Sequence, residues 1–161
     1  MRCCGKPHLV MMKMSADFAD FLRLLTERKV DYLIIGGYAV GHYGYVRNTG
    51  DFDIWVRLTD QNVELTADAL EEFGYAPKEK SLPYLKDPEK ILRMGMPPFR
   101  LEVSTSIDGV EFEDCFPRKK TVEYNGMAIH FIGYDDLIAN KKASGRLKDL
   151  ADVEELEKLN E

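Results

Sequence analysis

The order of apolar periods along the 161-residue chain predicts an α/β (α+β) fold, with helices interleaved with short strands and a helical C-terminal segment. Three observations carry this reading. Apolar residues at helical spacing precede a short β-rich run that stops at Gly36-Gly37, DFDIWV from Asp51 alternates with a period of two, and Asn125-Gly126 separates two strand-like runs.

Ser15 is a suitable N-cap, and Phe18, Phe21, Leu22 and Leu25 then recur at helical spacing, predicting an amphipathic helix to about Arg28. DYLII at 31–35 reads as a buried strand ending in a glycine turn, and YAVGHYGY as a short helix. In DFDIWV, Phe52, Ile54 and Val56 share one face, and Asp51, Asp53 and Trp55 the other. Thr59 or Asp60 caps a helix through about Phe73, whose face carries Val63, Leu65, Ala69, Leu70 and Phe73. Lys90 to Met94 and Arg100 to Ser104 read as strands separated by a Pro97-Pro98 turn. In the second, Arg100, Glu102 and Ser104 share a face, which puts a third carboxylate mid-strand. Thr121 to Tyr124 and Met127 to Phe131 form a hairpin around Asn125-Gly126, and Tyr134 to about Leu159 is helical. Residues 1–14 read as a flexible leader and 15–161 as a single domain, without repeat, low-complexity tract or linker.

Composition narrows the function. With 45% hydrophobic and 31% charged residues the chain builds a core, which excludes disorder, and no apolar run reaches the ~18 residues of a membrane span. A net charge of −6 argues against DNA binding by bulk charge and leaves room for a local basic site. Cys3, Cys4 and Cys115 form no CxxC pair, and an odd count without a secretory signal points to a reducing, cytoplasmic setting. Cys3, Cys4 and His8 lack the fourth ligand that a structural zinc site needs.

Two aspartates two residues apart on a strand lie about 6.5–7 Å apart at Cα and point the same way, near enough to share divalent ions. Hard oxygen ligands suit Mg²⁺, and two such ions clamp the attacking and leaving oxygens of an in-line displacement at phosphorus. The plainer alternative is the outward face of a half-buried sheet. Gly36-Gly37 before a helix lets backbone N–H groups approach a phosphate, although a turn alone also accepts a glycine pair. The combination is more specific: Gly36-Gly37, thirteen intervening residues, then Asp51-Phe52-Asp53-Ile54.

That run, LIIGGYAVGHYGYVRNTGDFDIWV, resembles the polymerase-β-like nucleotidyltransferase superfamily, whose signature is a hydrophobic residue, Gly, Gly or Ser, a spacer, then Asp-hydrophobic-Asp. Within the superfamily it looks most like the minimal AbiEii toxin-type proteins, with their Gly after the short helix and Arg-x-Thr-x-Asp-x-Asp, here Gly44, Arg47, Thr49, Asp51 and Asp53. The resemblance continues through Arg100-Leu101-Glu102 to NKKASGRLKDLADVEEL at 140–156. It implies a mixed β-sheet nucleotidyltransferase fold with helices on one side and carboxylates at the open edge of a cleft. It also implies that Asp51 and Asp53 bind Mg²⁺, or Mn²⁺, with Glu102 in a third position where Asp is commoner. Gly36 and Gly37 would contact a nucleoside triphosphate, while Arg47 and Thr49 would support the phosphates or the aspartate strand.

The implied activity is transfer of a nucleoside monophosphate to a hydroxyl of RNA at its 3′ end or of a protein, with small molecules such as antibiotics a third option. A cognate toxin or antitoxin is the implied partner. The alternative is a non-catalytic nucleotide-binding or partner-neutralising protein that keeps the fold. Lys142, Arg146 and Asp149 fall at i, i+4 and i+7 if one helix continues through Gly145, within a cluster of Lys141, Lys142, Arg146 and Lys148. Charge runs of this kind are usually solvated helix faces, but the resemblance favours phosphate contact by at least one of Lys141 and Lys142, with Arg146 able to bind in a bidentate manner. His42, Tyr43 and Tyr45 are candidates for base stacking, with core packing the commoner use of aromatics. His130 reads as packed or surface, and Arg118-Lys119-Lys120 as an RNA contact or an ordinary loop.

Overall fold

The structure, a computed structural model, describes residues 14–96 and 99–161. Cys3, Cys4, His8, the Pro97-Pro98 turn and all of the expected leader but Met14 lie outside the described residues, and Met14 packs against the core. Helix α1 (Ala16–Glu27) starts where expected, with the Ser15 hydroxyl accepting from the Phe18 amide at 3.2 Å. Its stripe of Phe18, Phe21, Leu22 and Leu25 is buried, each side chain contributing about 1.5–3 kcal/mol. Strand β1 (Tyr32–Ile35) leads into the short helix α2 (Gly36–His42) and then β2 (Asp51–Val56). Helix α3 (Asp60–Phe73) is capped by Thr59 and ends at Gly74 in the left-handed conformation, φ +92°.

Helix α4 (Lys78–Leu85) is absent from the sequence reading, because Pro83 and a weak apolar stripe mask it. Strand β3 (Leu92–Met94) is shorter than the expected 90–94, since Asp87 first holds a turn by accepting from the amides of Glu89 and Lys90. Strand β4 (Arg100–Ser104) follows, then the single turn α5 (Phe112–Cys115), which runs into a 3₁₀ turn at Phe116–Arg118. Strands β5 (Lys120–Tyr124) and β6 (Met127–Phe131) close a hairpin in which Asn125 and Gly126 both take positive φ, +50° and +78°, as a type I′ turn demands. Helices α6 (Tyr134–Ser144) and α7 (Leu147–Leu159) complete the chain.

The six strands form one mixed sheet in the order β3-β4-β2-β1-β6-β5, with β2–β4 and β1–β6 parallel and the remaining pairs antiparallel. The Phe52 face is covered by α1 and α2, with Phe18 stacked on Phe52 at 4.6 Å and Tyr38 edge-on at 5.0 Å. On the opposite face Trp55 is buried against Phe112 of α5 at 5.1 Å. Helices therefore flank both faces, not one, because the large indole of Trp55 needs cover that the aspartates beside it do not. The condition that one helix continue through Gly145 is not met. Gly145 takes φ +69° and its amide returns to the Lys141 carbonyl, ending α6 in the manner favoured by glycine, so Lys142 and Arg146 do not share one helix.

Candidate active site

Parallel pairing of β2 with β4 sets Asp53 opposite Glu102 and Asp51 opposite Arg100. With side chains alternating along each strand, the three acids emerge on one face, and oxygens of Asp51, Asp53 and Glu102 lie within 4.8 Å of one another. Two of the three are neutralised by arginines. Arg100 donates to both oxygens of Asp51, at 3.0 and 3.4 Å, and Arg93 Nε donates to Glu102 Oε2 at 3.1 Å. Asp53 differs: its Oδ1 is buried and accepts no hydrogen bond among the described residues. Burial, followed by repulsion from Glu102 and Asp51, pushes its carboxyl up to about 7, with Lys141 and Lys148 opposing. The three side chains offer oxygen donors only, a set compatible with a divalent cation.

The glycine pair has a steric reason visible here. Gly36 takes φ +69°, and a Cβ on it would stand 2.0 Å from Asp53 Oδ2, while one on Gly37 would stand 2.7 Å from Thr49 Oγ1. Thr49 in turn donates to the Asp51 carbonyl at 3.1 Å, fixing the approach to β2.

Opposite the acids, Lys141 is buried, with Nζ 2.9 Å from Asp149 Oδ1 and 3.0 Å from Asp152 Oδ2. Arg47 closes the network with a bidentate pair to Asp152 at 2.8 and 2.7 Å. Burial alone would raise Asp149, but hydrogen bonds from Ser144, Lys141 and Arg146 outweigh it and hold the carboxyl at about 2. Asp152 is lowered in the same way, with Arg47 and Lys141 overcoming burial.

These residues enclose a cleft of about 430 Å³. Gly36, Gly37, Arg47, Thr49, Asp51, Asp53, Glu102, Lys141 and Arg146 all line it, so the structure brings together every nominated residue except Lys142. The Lys142 ammonium is exposed and lies 3.3 Å from Glu157, so of the two adjacent lysines it is Lys141 that faces the cleft.

His42, Tyr43 and Tyr45 do not line the cleft: His42 stacks on Phe131 at 4.2 Å, Tyr43 donates its hydroxyl to the Ile132 carbonyl, and Tyr45 packs on the core. His130 Nδ1 lies 2.8 Å from Thr121 Oγ1, and Arg118 pairs in a bidentate manner with Asp136. The sequence reading missed Arg93, Arg100 and Asp152. Arg100 had a signal, its place two residues before Glu102 on the same strand face. Asp152 had the i, i+3 relation to Asp149, and Arg93 had none, since a cross-strand partner depends on register.

A mixed six-stranded sheet with flanking helices is the fold of a nucleotidyltransferase, and here it brings three carboxylates, a Gly-Gly turn and a buried lysine to one cleft. The chain belongs to the family described as nucleotidyl transferase of unknown function (DUF2204), whose model matches residues 14–161. Among curated proteins none matches it. Among solved structures it is similar to the lincosamide antibiotic adenylyltransferase LnuA in its lincomycin-bound form, at a TM-score of 0.59 and 15% identity over 89% of this chain and 96% of that one. It is also similar to a protein of Thermotoga maritima described as a candidate nucleotidyltransferase, at a TM-score of 0.53 and 15% identity over 94% of this chain and 98% of that one. At that identity the likeness is one of fold. Among the described residues no helix is long and apolar enough to cross a membrane.

Proposed function

We propose that the protein is a Mg²⁺-dependent enzyme that transfers a nucleoside monophosphate from a nucleoside triphosphate to a hydroxyl acceptor, with Asp51, Asp53 and Glu102 as its metal-binding and catalytic carboxylates. The buried, unpartnered Oδ1 of Asp53 carries this reading, since an uncompensated buried oxygen among hard donors suits Mg²⁺, or Mn²⁺. Bound there, divalent ions would supply Lewis-acid activation of the acceptor hydroxyl and neutralise charge on the triphosphate. Arg100 and Arg93, which hold Asp51 and Glu102, would have to yield those carboxylates to bound ions and would then stand beside the substrate as cations. Lys141, with Arg146, attracts the β and γ phosphates from the opposite wall, while Gly36 and Gly37, beside Asp53 and Thr49, leave the space next to the acids free of side chains. Arg47 and Thr49 act at one remove, tying α7 and the start of β2 into position.

The AbiEii toxin-type resemblance supports an RNA 3′ end or a protein hydroxyl as acceptor, a toxin or antitoxin as cognate partner, and a cytoplasmic setting. A small antibiotic stands beside these because LnuA is an antibiotic adenylyltransferase. The arginine pairs on Asp51 and Glu102 favour one second reading, a nucleotide-binding or partner-neutralising protein without turnover. Calorimetric titration of each nucleoside triphosphate with and without Mg²⁺ tests the site, and pyrophosphate release separates turnover from binding alone. Magnesium-dependent binding that disappears in the Asp51→Asn, Asp53→Asn double variant is expected, and no binding of any triphosphate by the folded protein overturns the enzyme reading.

A further inference from the structure

The three acids of the cleft are not equally supplied with cations. Arg100 stands between two of them, its Nε 3.0 Å from Asp51 Oδ1 and 3.6 Å from Glu102 Oε2. Arg93 adds a second donor to Glu102 Oε2 at 3.1 Å. Asp53 Oδ1, buried beside them, accepts no hydrogen bond among the described residues. We infer that Arg100 fills one of the two cation positions that an in-line phosphoryl displacement uses, so that the protein works with a single divalent ion, held at Asp53, in place of a pair. This inference rests on the proposed nucleotidyl transfer and assigns Arg100 a part in it.

The backbone sets the place of Arg100. Parallel pairing of β2 with β4 puts it in register with Asp51, and alternation along β4 returns Glu102 to the same face two residues on. A guanidinium rooted there reaches both acids without leaving the sheet, and opposite charges directly across a strand pair attract. Arg93 is placed in the same way, since antiparallel pairing of β3 with β4 sets it opposite Glu102. The grip of Arg100 on Asp51 is uneven, with Nε 3.0 Å from Oδ1 and Nη2 3.4 Å from Oδ2. Asp51 can therefore give its second oxygen to an ion while the first stays on Arg100. One ion leaves Arg100 in place, whereas a second would need the space between Asp51 and Glu102 that the guanidinium occupies.

The chemistry suits an arginine in that position. Its guanidinium is permanently charged and carries several N–H donors, so it can hold a phosphate oxygen and a carboxylate together. In the transfer, the acceptor oxygen bonds to the α-phosphorus and the bond to the bridging oxygen of the β-phosphate breaks. Pyrophosphate leaves with the electron pair, and the hydroxyl proton passes to water. Arg100 donates to an α-phosphate oxygen as charge gathers there, the stabilisation that the second ion of a two-ion site supplies. A guanidinium does not acidify a hydroxyl by coordination, and that part is what the single ion contributes. With an ion at Asp53, each of the three carboxylates has a cation of its own.

The test counts ions on the full chain. Wild type, Arg100→Lys and Arg100→Gln are titrated with Mn²⁺ and free ion is read by electron paramagnetic resonance. Each chain is measured alone and with the α,β-methylene analogue of each common nucleoside triphosphate, which binds but cannot be transferred. Wild type and Arg100→Lys, which keeps the charge, are expected to hold one Mn²⁺ per chain in the presence of the analogue, and Arg100→Gln two. Without nucleotide, Mn²⁺ affinity of Arg100→Gln is expected to rise about tenfold, as Asp51 and Glu102 lose the cation between them. Two Mn²⁺ in the wild type, or one in all three chains, overturns the role of Arg100 and leaves nucleotidyl transfer standing. No Mn²⁺ on the folded wild type with any analogue overturns both.

Discussion

Asp53 carries its charge against the preference of its surroundings. Its carboxyl is raised to about 7, first by burial and then by Glu102 and Asp51, so between about pH 4 and pH 7 the folded state holds a proton that the unfolded chain has lost. Stability of the metal-free protein therefore falls as pH rises through that window. Asp53→Asn is expected to abolish turnover and to remove the slope. Urea unfolding at pH 8 is expected to show the variant more stable than wild type by up to about 4 kcal/mol, the order set by a carboxyl raised from 3.8 to about 7 at roughly 1.4 kcal/mol per pH unit, with the difference shrinking at pH 5. Equal stabilities at pH 8 would mean that Asp53 is not strained. Gly36 acts on the same carboxylate by shape. Gly36→Ala places a methyl group 2.0 Å from Asp53 Oδ2 on a backbone at φ +69°, and a loss of about 1–3 kcal/mol together with Mg²⁺-dependent triphosphate binding is expected. Wild-type calorimetry from this variant would refute the steric role.

Among the elements, the α6–α7 pair is held by ions as much as by apolar contact. Lys141, Asp149, Asp152 and Arg47 form a buried chain of charges, and removing one member strands another. Asp152→Ala is expected to cost about 3 kcal/mol in urea unfolding, and Asp152→Asn less, because the amide still accepts from Arg47. A cost below 1 kcal/mol would show that the network relaxes freely. Elements whose ends are local were legible in the sequence. Ser15, Thr59 and Asn125-Gly126 each complete their hydrogen bond or turn within a few residues. Helix α4 was not legible, because it contains Pro83 and owes its helical state to packing on α3 and β3. Whether the helix breaks at Gly145 stayed open in the sequence, because glycine permits both a continued helix and a left-handed stop, and the structure takes the stop.

For the molecule as a whole, two sets of acids titrate in opposing directions. Asp149, held at about 2, and Asp152, also lowered, contribute stability that is present above the ordinary carboxylate range near 4 and lost as pH falls through their folded values. Asp53 removes stability as pH rises toward 7. Metal-free stability is therefore expected to peak near pH 5, and Mg²⁺ to raise the melting temperature more at pH 8 than at pH 5, since the ion competes with a proton on Asp53. Thermal melts across pH, with and without Mg²⁺, check both, and a Mg²⁺ shift independent of pH would count against Asp53 as a ligand. The carboxylates were readable because a strand repeats every two residues whatever surrounds it. Which of Lys141 and Lys142 faces them was not, because that depends on how α6 is rotated against α7.

The split of the cleft between distant parts of the sequence also sets an order of assembly during synthesis. A ribosome releases β2 and β4, with all three carboxylates, before α6 and α7, which bring Lys141 and the anchors Asp149 and Asp152. A nascent chain that has exposed only its first four strands carries the acids without the opposing lysine, and the cleft is complete only once α6 and α7 have docked.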